Sequence, residues 1–309
     1  MQVRQQFPDL FLAQMLPALD ELIWQEFDPN PPDFTKVFRV MTSDRSIEQT
    51  SQLSGLGLFS AIPEGADVTF DAPVPGFNKT YTHTQYGNGF RMTRRMIADD
   101  KHAIVKKNAT ELGRGARETL NLLAFSVLNN AFSTGAYAGP DGAALCSASH
   151  PQVKAGGNQS NVLSTPADFD VPSLELALID FRNMKDSAGK FIRLPAVKVL
   201  GSPANEFNFS EVLSGKLRSD TANNTVNAFR NRDGYDSFTD FDTTPYLTDS
   251  DAWFVCAPKA RTQLRFYWRE QPVTLHDMDF TSRSAMTAMW MTFSYGFSDY
   301  LGIYGTPGA

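Results

Sequence analysis

The sequence contains few of the residues that usually carry catalysis or bind metals. Only four histidines and two cysteines occur among its 309 residues. Cys146 and Cys256 are far apart and form no CxxC pair, so one disulfide is possible but two free buried thiols are favoured. Cys146 and His150 have ligand-like spacing, yet a structural zinc needs four ligands, usually in two close pairs. The remaining candidates, Cys256 and His276, are single and remote, so we predict no metal site.

The motifs of the common enzyme classes are also missing. The chain has no G-x-x-x-x-G-K-[ST] loop, no G-x-S-x-G elbow and no H-E-x-x-H motif. Gly55-Leu56-Gly57 and Gly87-Asn88-Gly89 lack the third glycine of a dinucleotide site. The pairs Asp99-Asp100 and Asp249/Asp251 are more typical of a helix cap and a turn than of a calcium site. We therefore predict a protein that is not an enzyme and uses no cofactor.

Charge and hydropathy exclude two further classes. The net charge is −6, and the densest basic cluster is Arg91, Arg94 and Arg95, interleaved with apolar residues. Phosphate contacts supply most of the affinity of DNA-binding proteins, so we expect DNA to be contacted only non-specifically. Residues 1–6 are polar, and no stretch approaches the roughly 20 apolar residues of a membrane span. We expect no signal peptide, no membrane segment and synthesis in a cytoplasm.

The remaining composition is that of a packed globular protein. Apolar residues make up 42% of the chain, and 24 residues are Phe. Apolar residues at helical or strand spacing predict an α+β fold without internal repeats. Helices are predicted over residues 8–26, about 108–132, 172–185 and 203–215. Strands are predicted over residues 34–41, 196–200, 253–257, 264–268, 284–293 and 295–304, with a loop-rich segment over 134–165.

Two details refine these helices. Gly113 and Gly115 each cost the longest helix roughly 1 kcal/mol relative to alanine, which indicates a close backbone approach, with a frayed helix start as the alternative. Asp170 is the expected N-cap of the helix that follows it, because Pro172 suits a first turn and Gly189 lies past the end.

Residues 46–100 form the least self-sufficient segment. Residues 79–84 have strand chemistry, Gly87-Asn88-Gly89 interrupts it and residues 90–93 resume it, which predicts a long two-stranded hairpin. The segment has too few apolar residues for a core, and a bare hairpin is marginal in water. It must therefore pack on another part of this chain or on a neighbour. Residues 219–244, rich in Asn, Asp and Arg, predict an exposed loop suited to subunit contacts.

The joint order of these elements and of particular strings resembles the tailed-phage major capsid proteins with the HK97 fold, especially the Mu-like head-subunit branch. The resemblance covers nearly the whole chain. The strings that carry it are GFNKTYTH (76–83), GFRMT (89–93), MIADD (96–100), LCSASHP (145–151), GNQSN (157–161), NNTVN (223–227), DAWFV (251–255) and GIYG (302–305).

The resemblance implies an HK97-like α+β capsid fold in four parts. They are an N-terminal arm (1–45), an E-loop (46–100), a P-domain (101–166 and 263–309, with a spine helix over about 109–132) and an A-domain (167–262). The E-loop of this family lies over a neighbouring subunit, and the A-domain loops meet at the centres of hexamers and pentamers. The implied inter-subunit contact residues are Phe77, Lys79, Tyr81, Arg91, Arg94, Arg218, Asn224, Arg230 and Arg232.

The implied function is that of a shell subunit without catalytic residues. Copies of the chain would form an icosahedral shell around packaged double-stranded DNA, assembled in the host bacterial cytoplasm and located in the virion capsid. The expected partners are other copies, a separate scaffold or maturation protease, a portal and decoration proteins. Too little chain precedes the E-loop for a cleaved scaffold segment, which is why a separate scaffold is expected.

Two alternatives stay open at the level of sequence. An encapsulin-type compartment shell has the same fold and encloses protein cargo instead of DNA. An α+β hydrolase or carbohydrate-binding protein would use the aromatic and acidic loops, although the sequence offers no triad, phosphate loop or metal cluster for it.

Overall fold

The computed structural model describes residues 7–27, 32–93, 95–96, 102–215, 229, 238, 240–279, 281–282 and 284–309. Within these residues the chain has a mixed α and β architecture. The helices are α1 (Phe7–Phe27), α2 (His102–Asn129), α3 (Val171–Arg182) and α4 (Glu206–Ser214). The strands are β1 (Arg39–Thr42), β2 (Ile47–Leu53), β3 (Pro75–Thr82), β4 (Thr84–Met92), β5 (His150–Pro151), β6 (Asn158–Gln159), β7 (Lys198–Gly201), β8 (Asp240–Thr243), β9 (Trp253–Cys256), β10 (Leu264–Asp279), β11 (Ser284–Phe297) and β12 (Ile303–Thr306).

The first sheet has the strand order β1-β10-β11-β4 and carries the long helices. β10 and β11 form an antiparallel ribbon, with irregular register between Trp268 and Val273. Side chains of α2 and of this sheet share one large apolar cluster, which includes Leu120, Phe266 and Phe293. A smaller cluster joins α1 to α2, β4 and β11. Burial of these faces supplies the main driving force for this half of the fold.

The close approach predicted for the long helix is confirmed at Gly113. A Cβ atom there would lie 2.3 Å from the carbonyl oxygen of Ile23 in α1, so only glycine allows the two helices this contact. Gly115 has nothing within 4 Å of such a Cβ, so the close approach predicted there is wrong. α2 also begins earlier than predicted, at His102, and ends at Asn129.

The second sheet has the strand order β12-β9-β7-β8 and packs against α3 and α4. All residues of β9 and β12 are buried, as expected for strands covered on both faces. The predicted N-cap is confirmed, because the Asp170 side chain accepts a hydrogen bond from the Ser173 backbone N–H and the Ser173 Oγ accepts one from the Asp170 backbone N–H. This capping box fixes where α3 begins against the sheet.

Several local predictions are wrong. Residues 79–84 and 90–93 do not pair with each other: β3 pairs with β2, and β4 pairs with β11. The glycines of Gly87-Asn88-Gly89 lie within β4, where a Cβ at Gly89 would be 2.7 Å from the Thr287 carbonyl oxygen. They therefore permit close strand pairing instead of ending the strand.

Three more boundaries differ from the predictions. The strand predicted at 34–41 begins with the 3-10 helix Asp33–Lys36, whose Phe34 is buried in the large cluster. The strand predicted at 295–304 is divided between β11 and β12 by a turn. The end of the predicted loop 219–244 is strand β8, which pairs in parallel with β7, and Phe229 and Phe238 are buried.

Candidate assembly surfaces

We use the term arm for β2, the connection 54–74 and β3. The two strands pair antiparallel from Ile47 opposite Thr82 to Leu53 opposite Pro75. No member of the three apolar clusters lies between residues 40 and 85 in the described chain, which agrees with the expectation that this segment has no core of its own. Backbone pairing gives the two strands their shape, but an isolated pair is marginally stable in water. Their stability must therefore come from packing against another part of this chain or against a neighbour.

The connection at the end of the arm exposes large apolar side chains. Phe59 is 106% exposed and Phe70 97% exposed, the values of residues in free solution. The uncovered apolar set is Leu53, Leu56, Leu58, Phe59, Ile62, Val68, Phe70 and Val74. So many exposed large apolar side chains within one short segment indicate an interaction site. Residues 46–78 also contain acidic residues and no Lys or Arg, so this site is apolar and negatively charged.

The base of the arm is anchored to the first sheet. The Tyr81 side chain is buried, its hydroxyl lies 2.7 Å from the Ser298 Oγ and its ring packs against Tyr267. Burial raises the pKa of Tyr81. The Lys79 ammonium donates a 2.9 Å hydrogen bond to the Ala138 carbonyl, and burial lowers its pKa. Both side chains therefore fix the arm from within its own chain.

A partly buried carboxyl group lies where the arm leaves the rest of the chain. Asp299 accepts a 2.8 Å hydrogen bond from the Tyr300 backbone N–H and bonds the side chain of Gln52 in β2. Burial raises its pKa to about 6 despite these bonds. Asp299, Gln52 and Phe77 line one pocket, so the first candidate contact residue, Phe77, is partly enclosed by its own chain.

The other candidate contact residues divide into two groups. Arg91 is exposed on β4 and its guanidinium lies 3.4 Å from the Met286 sulfur. Its contact with a neighbour, like those of Phe77, Lys79 and Tyr81, stays a prediction. The remaining candidates lie outside the described residues: Arg94, Arg218, Asn224, Arg230 and Arg232.

The residues that had ligand-like spacing serve the core instead. His150 is fully buried, with Nδ1 2.7 Å from Asp141 and Nε2 3.0 Å from Asn161, and its ring stacks on Tyr300. Burial alone would raise the pKa of Asp141, but the hydrogen bond and charge of His150 outweigh it and the pKa is lowered. Cys146 packs in the large apolar cluster, as interpreted from the sequence.

Neither a metal-ion cluster nor a membrane-spanning helix occurs in the described residues. No three His, Cys, Asp or Glu side chains are grouped there in a way that would hold a metal ion. No helix in the same part of the chain is long and apolar enough to cross a membrane.

Sequence reasoning missed the end of the arm and the residues that hold it. Leu58 and Phe59 lie between turn signals and belong to no strand pattern, which was the available signal for an uncovered apolar loop. Lys154 and Asp71 form an ion pair across 83 positions of sequence, and no local pattern reveals such a contact. A folded body with an uncovered apolar arm defines a protein that other molecules complete.

Comparisons with known proteins specify this class. The chain matches the family model described as phage capsid protein over residues 78–305. Because this match covers most of the chain, the protein belongs to the phage capsid protein family. No curated protein matches the sequence.

Solved structures show the same fold at low sequence identity. The procapsid of bacteriophage JBD30 is 13% identical, with a TM-score of 0.53 over 96% of this chain and 75% of that chain. The capsid of Ralstonia phage GP4 is 12% identical, with a TM-score of 0.57 over 88% and 87%. The virus-like particle from Pyrococcus furiosus is 12% identical, with a TM-score of 0.51 over 94% and 98%. The expected HK97-like α+β fold is confirmed, while the Mu-like branch stays a prediction.

Proposed function

We propose that this capsid protein is the major shell subunit of a tailed phage, that it assembles into hexamers and pentamers of an icosahedral shell around double-stranded DNA, and that it has no enzymatic activity. The observation that carries the proposal is the arm, whose apolar end is uncovered in the single chain. A second copy is the occupant that a homo-oligomeric shell provides. The P. furiosus particle supports only the fold, so the family match favours a phage shell over an encapsulin.

The proposed contacts are weak singly and strong together. Each copy would place the end of its arm on a neighbour, and contacts around the subunit would add up because closure of a shell makes each further contact intramolecular. Polar contacts at the rims of these interfaces would come from the candidate residues Arg91, Arg94, Arg218, Asn224, Arg230 and Arg232. The four-part division into N-terminal arm (1–45), E-loop (46–100), P-domain and A-domain belongs to the same proposal.

The remaining partners follow from the same role. A separate scaffold or maturation protease, a portal and decoration proteins would act on the assembled shell, and assembly would take place in the host cytoplasm. The negative net charge of −6 suits an inner surface that touches packaged DNA without specific binding.

The test is assembly of a double variant, Phe59→Ser with Phe70→Ser. Both side chains are exposed, so we expect the unfolding free energy to change by less than about 0.5 kcal/mol. We expect electron microscopy and light scattering to show closed shells for the wild type and no shells for the variant. The matched control is Phe59→Leu with Phe70→Leu, which keeps the apolar surface and should assemble. A wild-type protein that stays monomeric under all conditions, or a serine variant that assembles normally, contradicts the proposal.

A further inference from the structure

Lys154, which lies outside the arm, contacts both ends of the connection 54–74. We call the end that follows β2 the outgoing limb and the end that precedes β3 the returning limb. The Lys154 Nζ lies 2.5 Å from the Asp71 Oδ2, 3.2 Å from the Gly55 carbonyl oxygen and 3.2 Å from the Ala72 carbonyl oxygen. An ammonium group has three N–H donors, so these contacts use all of them. Gly55 belongs to the outgoing limb, and Asp71 and Ala72 belong to the returning limb.

Asp71 also links the returning limb to the outgoing limb. Asp71 Oδ2 also accepts a 2.6 Å hydrogen bond from the Gly57 backbone N–H. The hydrogen bonds from Lys154 and from Gly57 hold the pKa of Asp71 below its usual value. The Asp71 carboxylate therefore joins the two limbs, and the Lys154 ammonium holds that carboxylate in place.

Lys154 is itself held rigidly by the body. The backbone N–H groups of Lys154 and Ala155 donate to the Ser187 carbonyl oxygen at 3.1 and 3.0 Å. That carbonyl belongs to a turn in which Asp186 Oδ1 accepts hydrogen bonds from the backbone N–H groups of Ala188 and Lys190. The side chain of Lys154 therefore extends from a fixed point.

Within the described residues, the hydrogen bonds that join positions 55–73 to the rest of the chain all come from the Lys154 side chain. We infer that Lys154 is a positioning residue for assembly, which sets the direction in which the arm presents its apolar end to a neighbouring copy. The effect of Lys154 on assembly rests on the proposed function, whereas its restraint of the arm does not. Lys154 contributes little to the fold, because the Asp71 partner is exposed to solvent.

The geometric test measures the spread of arm directions in the monomer. Spin labels on Ser60→Cys, at the end of the arm, and Thr165→Cys, on the body, give a distance distribution. The native thiols do not interfere, because Cys146 and Cys256 are buried. We expect a narrow distribution for the wild type, a clearly broader one for Lys154→Ala and a narrow one for Lys154→Arg, which keeps the charge and donors. Lys190→Ala is the matched control, since Lys190 lies beside Gly55 without bonding it, and should stay narrow.

The functional test measures assembly at constant stability. We expect Lys154→Ala to form shells about tenfold more slowly, because only subunits with a correctly directed arm are competent. Its unfolding midpoint should match the wild type, and Lys154→Arg should restore the rate. If Lys154→Ala fails to fold, Asp71→Asn weakens the same contact from the arm side.

The outcomes separate this inference from the proposed function. An unchanged distance distribution in Lys154→Ala and Asp71→Asn overturns the role of Lys154 even if the wild type forms shells. A broadened distribution with unimpaired shell formation also overturns it as a positioning residue for assembly. A wild type that never assembles rejects the proposed function, while the label distances still decide whether Lys154 directs the arm.

Discussion

Every residue of β9 and β12 in the second sheet is buried, whereas in β2 of the arm exposed and partly buried residues alternate and none is buried. Both regions are paired strands, with one irregularity of register in the arm between Ser51 and Leu53. The difference lies in what covers them. The second sheet has helices α3 and α4 against it along its length. The arm is anchored at its base, by contacts such as that of Tyr81 with Ser298, but nothing covers the apolar side chains at its end. Secondary structure thus forms in both, but only the sheet gains its stability inside one chain.

The largest expected effect is on the second sheet. Trp253 is fully buried, its indole N–H donates to the Ala167 carbonyl at 3.1 Å and its ring packs edge-on against Phe169. Trp253→Ala should lower the free energy of unfolding by about 3–5 kcal/mol, since a large cavity forms and a carbonyl loses its donor. Urea denaturation followed by circular dichroism measures this. Phe59→Ala in the arm is the counterpart and should change it by less than about 0.5 kcal/mol; equal losses would abolish the distinction.

The stability of the junction between the arm and the rest of the chain should depend on pH. The pKa of Asp299 is raised by burial to about 6 from an ordinary value of 3.8, so the folded chain holds this proton more tightly than the unfolded chain. Its stabilising contribution is complete below pH 3.8 and is lost as pH rises to about 6, by at most about 3 kcal/mol.

Asp299→Asn should remove this slope. Urea midpoints are measured for both proteins at intervals from about pH 4 to 7. As the pH rises to about 6, the midpoint of the wild type should fall relative to that of the variant, and above about pH 6 the difference should stay constant. A difference between the two proteins that stays constant over this range would show that Asp299 has no raised pKa.

The smallest expected effects come from two glycines on one helix. Gly113→Ala should destabilise the protein by about 1–3 kcal/mol, because its Cβ would lie 2.3 Å from the backbone oxygen of Ile23 and α1 would have to move. Gly115→Ala meets nothing within 4 Å and should stabilise α2 by up to about 1 kcal/mol. Thermal unfolding of both variants checks the opposite signs, and two shifts of the same sign would refute the packing argument.

The comparison also explains which features the sequence alone could predict. Helix α3 and its Asp170 cap follow from residues a few positions apart, as does the close approach at Gly113. The pairing of β3 with β2, instead of with β4, depends on partners that lie far apart in sequence, and alternation alone cannot choose between them. The Lys154 contact is hidden for the same reason. The capsid family was recognisable because several strings occur in a fixed order, although none is decisive singly.

The passage from the arm into the first sheet has a mechanical consequence. β3 ends at Thr82 and β4 begins at Thr84, so only His83 separates the arm from a strand that pairs with β11 from Thr84 to Met92. A neighbour that pulls on the arm along this direction loads β4 lengthwise. The hydrogen bonds of the β4–β11 ladder then share the load in shear and are not peeled apart one at a time. Tension between subunits would thereby be delivered to the most extensively paired of the sheets in the described residues.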